Sequence, residues 1–180
     1  MVDTKSLVLT CEHHVLILMV TLVCGVSHAF PFPLILYRYY GWRTVVALYT
    51  DNDYGTNGIT ALEDALMEQV SPSMFWKERL APSIDRNGIG RILSRLAMME
   101  SRIFVVHTSQ EDMGMKVFEE AEYLGMLNTG FVWIVTDLVT SKLEEMVRSD
   151  VRVARAMQGV IGMRRYIEET SKLKELRAEW

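Results

Sequence analysis

Clusters of polar side chains follow three of the apolar runs in this chain. The clusters are Thr50-Asp51-Asn52-Asp53-Tyr54-Gly55 after residues 44–49, His107-Thr108-Ser109 after residues 103–106, and Thr136-Asp137 after residues 131–135. Their carboxylate, hydroxyl, phenol and imidazole groups could hold a metal ion, a phosphate or an amine. Ligands of parallel α/β sheets bind beyond the carboxyl ends of the strands. The three clusters therefore mark a candidate site, if the apolar runs are strands of one such sheet.

The first cluster does not match a known ion-binding loop. Asp51, Asp53 and Gly55 alternate as the ligands of a calcium loop do, but Leu62 stands where such a loop needs its closing glutamate. Gly55 and Gly58 are not followed by the Lys-Ser/Thr pair of a phosphate-binding loop. The simplest interpretation is a polar loop with a glycine turn over residues 51–58, and we expect neither a metal nor a cofactor.

The second cluster contains residue types of a hydrolase triad, but not in a triad arrangement. His107, Ser109 and Asp112 are close in sequence, whereas triad members converge from separate elements. No G-x-S-x-G motif occurs in the chain. We therefore expect no enzymatic activity, and we expect His107 to satisfy a backbone or cleft hydrogen bond at a strand end. Asp137 has two interpretations, a helix cap or a partner for a cationic ligand group.

The elements that would position these residues repeat at an interval of roughly 30 residues. Apolar runs at 44–49, 103–106 and 131–135 predict buried strands, and residues 74–80 predict a weaker strand near a sheet edge. Helix-period segments are expected near 59–70, 89–99, 112–124 and 141–148, with a loop at 82–90 and a further strand at 160–166. Continuous apolar strands need cover on both faces. The predicted fold class is therefore α/β, a three-layer, mostly parallel sheet with helices on both faces.

The net charge bears on nucleic-acid binding, and the N-terminal residues bear on targeting. The net charge of −4 and the scattered lysines and arginines argue against nucleic-acid binding. The apolar residues 15–26, followed by Ser27-His28-Ala29, predict a signal or targeting segment over residues 1–29, with a buried strand or a misjoined gene model as alternatives. Residues 30–40 are expected to be a linker and a helix remnant. No run from residue 30 to residue 180 is apolar and long enough to cross a bilayer.

A series of short motifs from about residue 39 to residue 180 carries a family resemblance. They include Tyr40-Gly41-Trp42-Arg43, Asp51-x-Asp53-Tyr54-Gly55, Tyr123-Leu124-Gly125-Met126, Gly130-Phe131-Val132-Trp133-Ile134-Val135-Thr136-Asp137 and Gln158-Gly159-Val160-Ile161-Gly162. In this order they resemble the amino-terminal ligand-binding region of plant glutamate receptor-like channels, which is similar to type I periplasmic binding proteins. The resemblance implies a two-lobed clamshell that closes on a small ligand. Residues 41–180 would correspond mainly to its second lobe, without the pore helices, so that the chain would be a fragment.

The same resemblance implies a function and a set of site residues. Tyr54 matches a tyrosine that contacts the amino end of an amino-acid ligand, and Asp137 matches an acid that pairs with the ligand ammonium; Asp51, His107 and Thr108 are further candidates at the same edge. The implied protein is a non-enzymatic receptor region of a ligand-gated ion channel on the extracellular side of the plasma membrane. Its partners would be a weakly bound amino-acid-like ligand and other receptor subunits.

An alternative within the same family is an assembly or regulatory interaction domain that binds no small ligand. A ligand-binding module predicts that Tyr54 and Asp137 face one open cleft without internal partners. An assembly module predicts an exposed apolar helix face instead.

Overall fold

A computed structural model describes residues 7–10, 17–20, 40, 42–69, 74–136, 138–142, 145, 160–162 and 170–179. Within these residues seven strands form one sheet. They are β1 (Leu7–Thr10), β2 (Ile17–Val20), β3 (Thr44–Thr50), β4 (Met74–Leu80), β5 (Ile103–His107), β6 (Val132–Val135) and β7 (Val160–Gly162). The helices include α1 (Asp53–Gln69), α2 (Arg86–Ala97), α3 (Glu111–Tyr123) and α4 (Ser171–Glu179).

Strands β3 to β7 are mutually parallel, which confirms the predicted sheet. The strand order is β1-β2-β7-β6-β5-β3-β4, and every neighbouring pair from β4 to β7 runs parallel. Strand β4 lies at the end of the order, as its charged residues predicted. Counted along the chain, the five parallel strands have the spatial order 2-1-3-4-5, which is that of flavodoxin-like folds. The order reverses between β3 and β5.

Helices cover both faces of the sheet and bury two apolar clusters. On one face α1 contributes Ile59, Leu62 and Leu66, which pack on alternate residues of β3 and β5. On the other face α2 and α3 pack on the intervening residues of the same strands, around the buried Trp133. Successive strand side chains point to opposite faces, so continuous apolar strands supply both clusters. The three-layer α/β architecture is confirmed.

Two predicted loops are shorter than expected because helices begin earlier. The prediction of a polar loop over residues 51–58 is wrong, since α1 begins at Asp53. Gly55 and Gly58 lie inside this helix, where a Cβ would come within 2.0 Å of the Thr50 carbonyl oxygen and 2.1 Å of His107 Nε2, respectively. They permit close packing rather than a turn. The predicted loop at 82–90 ends at Asp85, whose carboxylate accepts a hydrogen bond from Gly88 N and caps α2.

The N-terminal strands extend the sheet beside β7. Strand β1 pairs antiparallel with β2, and β2 contacts β7 at Ile17 and Gly162. The targeting function of residues 1–29 and the division of the chain at residues 29 and 40 stay predictions. Most of the linker at 30–40 and of the short helix at 141–148 lies outside the described residues, although residues 138–142 are helical. Among the described helices, none combines the length and apolar character that a membrane span requires.

Candidate functional site

A crevice is expected where the strand order reverses, at the carboxyl ends of β3 and β5. The chain leaves β3 into α1 on one face and leaves β5 toward α3 on the other face. The two connections therefore separate at this edge. Three of the predicted site residues, Asp51, Tyr54 and Thr108, lie on these connections, and His107 is the last residue of β5. The polar residues after β3 and β5 thus lie at one edge of the sheet, and their role as a ligand site stays a prediction.

Asn52 joins the two connections, although sequence reasoning did not select it as a site residue. Its Oδ1 accepts a hydrogen bond from Gly55 N at 2.8 Å, so Asn52 caps the N-terminus of α1. Its Nδ2 donates to Ser109 Oγ at 3.1 Å, across the gap between the connections. An asparagine directly before a helix is a recognised start signal. That signal was available in the sequence, but the assumption of a loop over residues 51–58 concealed it.

The ring of Tyr54 stacks on the imidazole of His107. Their centroids are 4.5 Å apart, and the ring planes are inclined by 18°. Tyr54 remains 42% exposed, whereas His107 is 4% exposed. The imidazole thus forms the inner layer of the stack. The expectation that Tyr54 lacks an internal partner is wrong, since an edge position allows a side chain to be both supported and exposed.

Both imidazole nitrogens of His107 have hydrogen-bond partners. Nε2 lies 3.3 Å from the Tyr54 carbonyl oxygen, and Nδ1 lies 3.1 Å from Thr136 Oγ1. A carbonyl oxygen only accepts, so Nε2 carries the proton and Nδ1 of the neutral ring accepts from the Thr136 hydroxyl. Burial lowers the pKa of His107, and the hydrogen bond to the Tyr54 carbonyl partly offsets this effect. The ring is therefore neutral at pH 7, and the hydrogen bond expected for His107 is present.

Thr108 occupies a buried position at the same edge. It is 1% exposed, and its hydroxyl is hydrogen-bonded to that of Thr50. The Thr108 Oγ1 also accepts from Gln110 N at 3.0 Å, which orders the connection before α3. These bonds give the side chain a structural role. Its predicted contact with a ligand stays a prediction.

Comparison with known proteins assigns this chain to a family. The model of the receptor family ligand binding region matches residues 34–180. This chain belongs to that family. Glutamate receptor 3.1 of Oryza sativa subsp. japonica is 39% identical over 145 residues, which are 81% of this chain and 15% of the relative. Glutamate receptors 3.4 and 3.2 of Arabidopsis thaliana are each 37% identical; each match covers 79% of this chain, and 15% and 16% of the relatives, respectively.

The segment that this chain matches is a small part of those relatives. The chain spans about 15% of the length of the first two. Membership of the family confirms the resemblance and the receptor assignment that the motifs predicted.

Of the two acidic residues predicted to contact a ligand in this receptor ligand-binding region, Asp51 is among the described residues and Asp137 is not. Asp51 is exposed, and its Oδ1 lies 3.7 Å from an Arg79 guanidinium nitrogen on the edge strand. The backbone N–H of Asp51 donates to the Leu80 carbonyl at 2.9 Å, which fixes the start of the connection. Asp137 lies outside the described residues. It directly follows Thr136 in the sequence, and the hydroxyl of Thr136 contacts His107.

At the Tyr54 edge (residues 50–54 and 107–109) of the receptor ligand-binding region, the Tyr54 ring is exposed. Two concavities in the described residues have volumes of about 440 and 400 Å³. The first lies against the N-terminal half of α2, and the second lies between Pro82 and the N-terminus of α3. Neither is lined by Tyr54 or His107. Within the described residues, no group of histidine, cysteine and acidic side chains has an arrangement that would hold a metal ion.

Proposed function

We propose that this chain is a non-enzymatic ligand-binding lobe of a glutamate receptor-like protein, which takes a small amino-acid-like ligand at the Tyr54 edge. The observation that carries the proposal is the position of Tyr54. Its ring is supported by His107 from within and exposed at the point where the strand order reverses. This is the place where open α/β sheets bind ligands. The family match supports the same assignment.

The exposure of Tyr54 supports a half-site. An enclosed pocket buries most of a ligand's surface, whereas Tyr54 is 42% exposed in the part of the chain that the structure describes. We therefore propose that a second surface, from a facing lobe, completes the site. Charged hydrogen bonds are worth about 1.5–3 kcal/mol each, so losing two or three of them weakens binding by orders of magnitude. The isolated chain is expected to bind glycine or glutamate no better than in the millimolar range.

Two acidic residues are proposed to act beside Tyr54. Asp137 would pair with the ligand ammonium, as the resemblance implies, and the exposed Asp51 would add negative potential at the same edge. The side chains of a hydrolytic site are otherwise engaged here: His107 bonds Thr136 and the Tyr54 carbonyl, and the Ser109 hydroxyl accepts from Asn52. These bonds support a binding role rather than an enzymatic one.

For the whole receptor, we propose the context that the relatives' names support. The region would lie on the extracellular side of the plasma membrane in a ligand-gated ion channel, next to other receptor subunits. Pore helices would belong to other parts of such a receptor.

Binding is tested by titrating ¹⁵N-labelled chain with glycine and with glutamate and following amide chemical shifts. We expect millimolar dissociation constants, with the shifted amides at residues 50–58 and 107–109. Tyr54→Ala should abolish the shifts, and Asp137→Ala should weaken binding at least tenfold. Tyr123→Ala is the matched control, because Tyr123 is also an exposed tyrosine but lies at the far end of α3. Micromolar affinity would refute the half-site, and shifts that survive Tyr54→Ala would refute the site.

The alternative, an assembly or regulatory interaction domain, is favoured by one observation. Helix α4 has no buried residue, and its Leu176 is exposed. Sedimentation equilibrium would distinguish the two functions. A concentration-dependent dimer that Leu176→Glu dissociates, together with an absence of glycine and glutamate binding, would favour assembly. A monomer that binds either amino acid at the Tyr54 edge would favour the ligand-binding lobe.

A further inference from the structure

His107 was expected to touch a ligand, but its burial gives it another role. Only 4% of the residue is exposed, and the Tyr54 ring covers one face of the imidazole. A ligand arriving at the edge therefore meets Tyr54 before His107. Any effect of His107 on that ligand must pass through Tyr54.

The imidazole is fixed at two points that belong to different elements. Nδ1 bonds the hydroxyl of Thr136 at the end of β6, and Nε2 bonds the backbone carbonyl of Tyr54 in α1. The first bond orients the ring relative to the sheet. The second ties the ring to the residue whose side chain it supports. The stacked pair is thus oriented by the sheet rather than by the helix alone.

Gly58 provides the space for this arrangement. It lies one turn after Tyr54 in α1, and a Cβ at this position would come within 2.1 Å of Nε2 and 2.8 Å of Cδ2 of His107. Real Cβ atoms essentially never come closer than 3.0 Å to another heavy atom. Any larger residue would therefore displace the imidazole or the helix. The sequence Tyr-x-x-x-Gly in the first turns of α1 is what allows the ring to lie beneath Tyr54.

We propose that His107 is the positioning residue of this edge: anchored by Thr136 and accommodated by Gly58, it holds the Tyr54 ring in the orientation that receives the ligand. This inference rests on the proposed ligand-binding function and adds a residue that determines the affinity of the same site. Loss of the imidazole would remove this stacking contact, so that more of the cost of ordering the exposed Tyr54 side chain would fall on the ligand. Ordering one such side chain corresponds to a loss of about 2- to 12-fold in affinity.

The position of the Tyr54 ring is measured on the full chain by NMR with ¹³C-labelled tyrosine, and Tyr54→Phe assigns its signals among the seven tyrosines. Stacking on an aromatic ring shifts the ring signals of Tyr54. We expect His107→Leu to move them to the values of an unstacked tyrosine. His107→Phe should retain most of the shift, because it keeps a ring without the two nitrogen contacts. Thr60→Ala is the matched control, an exposed threonine in the same helix, and should change nothing.

Titration with glycine on the same samples supplies the second measurement. We expect 2- to 12-fold weaker binding for His107→Leu, with partial rescue by His107→Phe. If the Tyr54 signals of a folded His107→Leu protein match those of the wild type, the proposal is overturned. Should His107→Leu fail to fold, Thr136→Val takes its place, and wild-type Tyr54 signals in that variant overturn the proposal equally.

The two proposals fail in different ways. If His107→Leu moves the Tyr54 signals but neither glycine nor glutamate affects any variant, the support of Tyr54 by His107 stands and the ligand-binding function falls. If ligands bind at the Tyr54 edge with equal affinity in wild type and His107→Leu, the function stands and the positioning role falls.

Discussion

Replacing Gly55 by alanine tests whether the close packing of α1 on β3 sets the geometry of this edge. Alanine normally stabilises a helix relative to glycine, by about 1 kcal/mol. At this position the new Cβ would lie 2.0 Å from the Thr50 carbonyl oxygen, and the distance must grow to at least 3.0 Å. The obstacle is backbone, so no side-chain rotation relieves it. The same carbonyl accepts a hydrogen bond from Asn52 N at 2.8 Å, which the displacement would disturb.

The expected cost follows from these contacts. Overpacking a tight site costs typically 1–3 kcal/mol, and displacement of Gly55, whose N–H donates to the Asn52 cap, costs about 1 kcal/mol more if that bond is lost. Subtracting the gain in helix propensity of about 1 kcal/mol leaves a net loss of about 1–3 kcal/mol. For a chain of this size that corresponds to a melting temperature lower by roughly 2–12 °C.

Thermal unfolding followed by circular dichroism measures this change. Thr60→Ala in the same helix is the control and should be neutral or slightly stabilising, by no more than about 0.7 kcal/mol. Gly58→Ala should be less harmful than Gly55→Ala, because its Cβ meets the His107 side chain rather than backbone. A Gly55→Ala protein that melts above the wild type would refute the reasoning. It would show that α1 does not lie as close to the end of β3 as the structure has it.

Three further predictions concern the pH response, the core and the helix cap. Because the pKa of His107 is lowered in the folded protein, the unfolded chain binds more protons near pH 6. The free energy of unfolding should therefore fall as the pH drops below about 6.5. Melting experiments at pH 7.5 and 5.5 should show a smaller fall for His107→Phe than for the wild type. Trp133→Phe removes the Nε1 donor that bonds the Met126 carbonyl at 2.8 Å, and urea unfolding should show a loss of about 1–3 kcal/mol; wild-type stability would contradict this. Asn52→Ala should cost about 0.5–2 kcal/mol through loss of the bond from Gly55 N, whereas Asn52→Asp keeps the cap acceptor and should retain most of the stability; equal losses would contradict the capping role.

The sheet was predictable from sequence because its strands are buried on both faces. Residues 44–49, 103–106 and 131–135 are continuous apolar runs, and all three lie in the parallel sheet. The charges Lys77 and Arg79 marked β4 as the edge strand, where long polar side chains reach solvent. The carboxyl-edge location of the polar clusters followed from the same strands. These features depend on hydrophobic periodicity, which is a local property of the sequence.

The details of the site depended on contacts between residues distant in sequence, and local patterns do not contain them. Gly55 and Gly58 were interpreted as loop residues because glycine is disfavoured inside helices. Here tertiary packing overrides that preference, since no Cβ fits at either position. The support of Tyr54 by His107 joins residues 53 positions apart. The exposed tyrosine was found from the motif, whereas its inner partner could be assigned only once the register of β3 and β5 was known.

The strand order explains why these distant residues meet. The chain leaves β3 through α1, continues into the edge strand β4, and crosses by α2 on the other face to reach β5 on the opposite side of β3. That path places the first turn of α1 above the end of β5. A side chain at the end of β5 that points to the α1 face must therefore pack beneath this first turn. His107 is that residue, because it continues the alternation of Ile103 and Val105, which pack in the α1 cluster. Its position under Tyr54 is thus a consequence of topology and register. The orientation of the Tyr54 ring should therefore be sensitive to small changes in the depth at which α1 packs on the sheet, even where neither Tyr54 nor His107 is altered.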